Sequence, residues 1–81
     1  MKSYKIYGKV SCGYCTRLVQ AMIDQKKTFF AHFLDADPEL LQEKKNLYQH
    51  QTVPIVILRE GEKETLIGGC TETLKRLKKE L

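Results

Sequence analysis

The chain lacks any apolar run near the ~18 residues that a membrane-spanning helix needs. Its start, Met1-Lys2-Ser3-Tyr4-Lys5, lacks the apolar stretch of a secretory signal. The expected location is therefore cytoplasmic, where thiols stay reduced and paired cysteines serve catalysis or metal binding. There is no glycine-rich phosphate loop and no interleaving of aromatic and basic residues, so the net charge of +4 does not point to nucleic acid. The lysines scatter instead, as in Glu43-Lys44-Lys45 and Lys75-Arg76-Leu77-Lys78-Lys79-Glu80, and read as solvated helix faces. Such charge suits anionic small molecules or acidic protein partners. Linkers, repeats and low-complexity segments are also absent, and 81 residues are expected to form one domain, 1–81.

What is present is one Cys-x-x-Cys, in Lys9-Val10-Ser11-Cys12-Gly13-Tyr14-Cys15. It follows a short β-rich run and opens an amphipathic stretch. A thiol at a helix N-terminus faces free backbone N–H groups and the positive end of the helix dipole, both of which favour the thiolate. Lys9 and Arg17 add cations close in sequence. Cys12 is thus expected to be an activated nucleophile, and Cys15, one turn on, its resolving partner. A zinc site would need two more ligands. Cys70, His32 and His50 are the only thiol and imidazole candidates, with no second Cys-x-x-Cys.

The pattern predicts strand 4–7, then helix 13–25 with Cys15, Leu18, Val19 and Met22 on one face. Residues 29–34 read as a largely buried strand. Asp37-Pro38-Glu39 is a helix start, with an N-cap acceptor, proline at the first position and an acid in the first turn. That helix is expected to reach about residue 50, with Leu40, Leu41, Leu47 and Tyr48 inward and Lys44 snorkelling. Strands 55–58 and 64–67 flank a turn at 59–62, and Thr71 is expected to cap a last helix burying Leu74, Leu77 and Leu81. The order βαβ–α–ββα describes an α/β fold: one mixed four-stranded sheet with three helices on its faces.

Cys12-Gly13-Tyr14-Cys15, Thr52-Val53-Pro54 and Gly68-Gly69-Cys70-Thr71-Glu72 stand in this order at helix and strand starts. Together they resemble the glutaredoxins, dithiol oxidoreductases of the thioredoxin fold, over nearly the whole chain. The resemblance implies a redox-active Cys12/Cys15 disulfide, a role in electron transport and cell redox homeostasis, and glutathione as co-substrate. It implies a cis bond before Pro54, with Val53 offering its backbone to the cysteinyl part of glutathione beside Thr52. It implies Lys9 and Gln51 as contacts to glutathione, Lys9 pairing with the glycyl carboxylate. Gly69, Cys70 and Thr71 would hold the γ-glutamyl carboxylate at a helix start, Glu72 would take the ammonium group, and Tyr14 would line the cleft.

On this reading the chain reduces protein disulfides and protein–glutathione mixed disulfides. It would act as a monomer in its apo form, with ribonucleotide reductase among the plausible clients by analogy. Gly13 stands where proline is common in the family. The reading is that glycine loosens the turn and restores an N–H donor near Cys12, and in some members a small residue there accompanies a [2Fe–2S] cluster shared by two protomers through Cys12. The alternatives are therefore a cluster-binding dimer and a thioredoxin-like electron donor to ribonucleotide reductase. Cys70 is expected to be a buried small residue rather than a third redox thiol. Asp35 and Asp37 read as turn and cap residues.

Overall fold

A computed structural model describes residues 2–79 of the chain. Its elements are β1 (Lys2–Gly8), α1 (Gly13–Asp24), β2 (Phe29–Phe33), α2 (Pro38–Leu47), β3 (Ile55–Glu60), β4 (Lys63–Gly68) and α3 (Cys70–Lys79). The strands form one sheet in the order β2-β1-β3-β4. β1 and β2 are parallel and joined through α1, while β3 runs antiparallel to both β1 and β4. This is the mixed sheet that the sequence pattern predicts.

The alternation of side chains along β1 and β3 divides the core into two layers. Tyr4 and Ile6 of β1 join Val56 and Leu58 of β3 on one face, packed against Leu18 and Met22 of α1 and Cys70 and Leu77 of α3. Tyr7, Ile55 and Ile57 point the other way, beneath Leu41 of α2. Because β3 is covered on both faces, its sequence reads as an unbroken apolar run. Each fully buried leucine, isoleucine or methionine in these layers contributes ~1.5–3 kcal/mol. The β3–β4 hairpin turns on Gly61, whose φ of +63° is one that glycine adopts without steric cost.

Four expectations are corrected. β2 is an edge strand, not a largely buried one: Phe30 is 60% exposed and Phe33 40%. An apolar run looks the same in sequence whether one or both of its sides are covered. α2 stops at Leu47, short of residue 50, and Gln49 at φ +52° turns the chain away. Leu47 is therefore exposed, whereas Leu41 faces inward and the Lys44 ammonium lies 5.4 Å from the centre of the Tyr7 ring. Thr71 does not cap the last helix, because α3 already begins at Cys70 and the Gly69 carbonyl accepts from the Thr73 amide at 3.1 Å. Thr73 is buried instead, with its hydroxyl donating to the same carbonyl at 2.7 Å. Leu81 lies outside the described residues. The Asp37 cap forms as expected, accepting from the Leu40 amide at 3.1 Å.

Candidate active site

β1 ends at Gly8, and the chain crosses residues 9–12 to enter α1 with Cys12 at the N-cap. Cys12 has extended backbone (φ −91°, ψ 115°), and its amide donates to the Lys9 carbonyl at 3.2 Å. This turn sets the sulfur over the open end of the helix. Burial works against a Cys12 thiolate. The Cys15 thiol, the backbone N–H groups of Cys15 and Tyr14, and the Lys9 charge together outweigh it and hold Cys12 below the ordinary thiol range. The N–H groups concerned belong to the second and third helical residues, as N-cap geometry requires. Gly13 is the first helical residue and is not among them.

Cys15 is fully buried against the end of β1. Burial is the main reason its thiol is pushed up to about 12; the Cys12 charge adds to this, while a backbone contact at Lys9 opposes it. The pair is thus split into one thiol ready to ionise and one held protonated. Gly8 makes that burial possible, since a side-chain carbon there would fall 2.6 Å from the Cys15 sulfur.

Asp35, in the turn after β2, reaches this loop. Its carboxylate accepts from the Val10 amide at 2.7 Å, the Ser11 amide at 3.4 Å and the Ser11 hydroxyl at 3.2 Å. The Val10 contact above all keeps Asp35 below the usual carboxylate range.

Beside Cys12 lies an open cleft of about 250 Å³, lined by Tyr14, His50, Thr52, Val53, Pro54, Gly69, Cys70, Thr71 and Glu72. The Val53–Pro54 peptide bond is cis. The Cys12 sulfur stands 4.0 Å from the Val53 carbonyl oxygen, which joins the redox pair to the cleft. The opposite wall is the start of α3, where Gly68 at φ +127° bends the chain and Gly69, Cys70, Thr71 and Glu72 line the opening. Cys70 is buried there; burial raises its thiol, with Arg17 partly offsetting this and Cys12 and Glu72 reinforcing it.

The cleft gathers every residue expected to contact glutathione except Lys9 and Gln51. Lys9 acts on Cys12 through its charge from outside the lining. The Gln51 side chain turns onto α2, accepting from Gln42 at 3.0 Å and donating to Asn46 at 3.3 Å. His50, weighed in the sequence only as a candidate zinc ligand, lines the cleft and lies 3.2 Å from the Thr52 hydroxyl. Gly8 and Asp35 were missed as site-building residues. Both act across the fold, on partners that sequence spacing does not reveal.

Among the described residues, no cluster of three or more His, Cys, Asp or Glu side chains is placed to hold a metal ion. Cys15 and Cys70 are buried and Cys12 is not, so an iron–sulfur cluster shared by two protomers would draw on Cys12 of each. No described helix is long and apolar enough to cross a membrane.

A thioredoxin-type sheet carrying a split dithiol at a helix start, opposite a cis-proline turn, defines a thiol oxidoreductase. The glutaredoxin family model matches residues 5–62, and the chain belongs to that family. Among solved structures it is similar to a dithiolic glutaredoxin of Trypanosoma brucei brucei, with 29% identity, a TM-score of 0.73, and coverage of 95% of this chain and 77% of that one. It is also similar to the holo form of glutaredoxin C1 from Populus tremula x tremuloides, with 28% identity, a TM-score of 0.74, and coverage of 94% and 74%. A buckwheat glutaredoxin–glutathione complex shares the fold at 24% identity and a TM-score of 0.76, covering 98% of this chain and 71% of that one. No curated protein matches the sequence.

Proposed function

We propose that the chain is a glutathione-dependent oxidoreductase that reduces protein–glutathione mixed disulfides and protein disulfides. One observation carries the reading: the Cys12 thiol, held below the ordinary thiol range, borders a cleft walled by Val53 and by the first turn of α3, the part of a helix whose N–H groups have no intrahelical acceptor. Those are the groups a γ-glutamyl-cysteinyl peptide requires. Extended backbone would pair with Val53, a carboxylate would sit at the helix N-terminus beside Thr71, and the Glu72 carboxylate would meet an ammonium group. The buckwheat fold neighbour was solved with glutathione, which is consistent with a cleft of this shape.

In the proposed cycle the Cys12 thiolate attacks the glutathione sulfur of a mixed disulfide. A Cys12–glutathione disulfide forms, and the client leaves as a thiolate that takes up a proton. The thiolate of a second glutathione then attacks the glutathione sulfur bound to Cys12. Glutathione disulfide departs and the Cys12 thiolate returns.

With a protein disulfide, Cys12 forms the mixed disulfide and Cys15 resolves it, leaving Cys12–Cys15 oxidised. Cys15 loses two of the influences that hold it protonated once Cys12 is bonded, namely its hydrogen bond to Cys12 and the Cys12 charge; burial remains. The resolving thiol is thereby easier to ionise when it is needed.

The test is nuclear magnetic resonance of the Cys15→Ser protein before and after treatment with glutathione disulfide, with mass mapping of the adduct. The expected result is one glutathione on Cys12 and amide shifts concentrated at Tyr14, Val53, Thr71 and Glu72. An adduct on Cys12 whose shifts bypass these residues would remove glutathione from the cleft.

A further inference from the structure

We propose that Asp35 is a positioning residue for the Cys12 thiol, fixing the loop that holds Lys9 and the mouth of α1 against the sulfur. The inference rests on Cys12 being the reactive thiol. The turn after β2 grips the loop at two successive places. The Leu34 amide donates to the Gly8 carbonyl at 2.8 Å, and Asp35 takes the amides of Val10 and Ser11 together with the Ser11 hydroxyl. Lys9 lies between these two anchors, and its carbonyl in turn receives the Cys12 amide. The same turn is braced from its far side, where the Asp37 amide donates to the Leu34 carbonyl at 3.1 Å and the Asp37 side chain caps α2. A loop between a strand and a helix would otherwise be free to splay. Here its amides, which precede the helix and have no helical partner, are satisfied by one carboxylate.

The sign of the effect separates positioning from simple charge. A carboxylate acting only as a nearby negative charge disfavours the thiolate, so its removal would make Cys12 ionise more readily. A carboxylate that holds Lys9 and the helix mouth in place favours the thiolate indirectly, and its removal does the opposite.

The experiment is site-mapped alkylation of the intact dithiol protein by iodoacetamide across pH, with no glutathione present, so its outcome is independent of the cleft assignment. In Asp35→Ala the midpoint for Cys12 moves to higher pH, and alkylation below the midpoint slows about threefold or more, following the thiolate fraction. In Asp35→Asn, whose amide oxygen still accepts the Val10 N–H, the shift is smaller. Circular dichroism establishes that each variant is folded. If the alanine variant does not fold, Asp35→Glu, which keeps the charge but displaces the oxygens by one methylene, is expected to shift upward as well. The inference is overturned if the midpoint in Asp35→Ala stays put or moves down, if Asp35→Asn moves as far as Asp35→Ala, or, where Asp35→Glu is needed, if that variant leaves the midpoint unchanged.

Discussion

A side-chain carbon on Gly8 would stand 2.6 Å from the sulfur of Cys15 and 3.2 Å from its Cβ. The end of β1 and the buried thiol of α1 are therefore packed so closely that only glycine fits between them. Cys15 has nowhere to retreat, being fully buried itself.

Gly8→Ala is thus expected to destabilise the protein by about 1–3 kcal/mol, the usual cost of forcing atoms into a filled core. It should also move Cys15 away from Cys12. Urea unfolding reads the first effect, and the yield of the Cys12–Cys15 disulfide under mild oxidation reads the second. A variant as stable as the parent would contradict the packing described.

Gly13→Pro is expected to stabilise. A β-carbon on Gly13 would meet no heavy atom within 4 Å beyond its chain neighbours and its own helix, Gly13 is the first helical residue, and Cys12 already has the extended backbone that a residue before proline adopts. The gain is about 0.4–1 kcal/mol, through a less flexible unfolded chain. The Cys12 alkylation profile should hold its position, because Tyr14 and Cys15 supply the amides. A large upward move of that profile would mean that the Gly13 amide matters after all.

Thr73→Val removes the hydroxyl that reaches the Gly69 carbonyl while leaving the Thr73 amide on that carbonyl. No buried acceptor is stranded, so the expected cost is about 0.5–1.5 kcal/mol rather than the larger penalty of an orphaned group. Gly69 lines the cleft, and glutathione affinity should weaken along with stability. Thermal unfolding and a binding titration measure the two together.

The thiols also predict how stability follows pH. Cys12 has a folded pKa below its unfolded value, so its contribution is present above the ordinary thiol value of 9.0 and fades as pH falls through the lowered one. Cys15 behaves oppositely. Its folded pKa of about 12 lies above 9.0, so its contribution is complete below about 9.0 and is lost as pH rises toward 12. Cys15→Ala should flatten the alkaline fall in melting temperature. An unchanged alkaline limb would show that the Cys15 thiol is not held protonated by the fold.

Local chemistry made much of this legible in advance. The period of Cys15, Leu18 and Met22, the Asp37-Pro38 helix start and the unbroken run of β3 each report their own surroundings, and each of these elements starts where expected. What escaped depends on partners distant in sequence. Phe30 looks buried until the strand order makes β2 an edge, and Leu47 looks inward until the helix ends beneath it. Asp35 reads as a turn residue because its partners, Val10 and Ser11, come from the preceding βα connection. His50 stands in the sequence only as a candidate zinc ligand until the chain folds it beside Thr52 at the cleft.

The central claim is that Cys12 turns over glutathione mixed disulfides while Cys15 serves only to resolve protein disulfides. Its most direct test couples reduction of a glutathione mixed disulfide to glutathione reductase and NADPH, for the parent protein, Cys12→Ser and Cys15→Ser. Cys12→Ser is expected to be inactive and Cys15→Ser to retain turnover. A parent protein that is idle with glutathione yet turns over with thioredoxin reductase would contradict it.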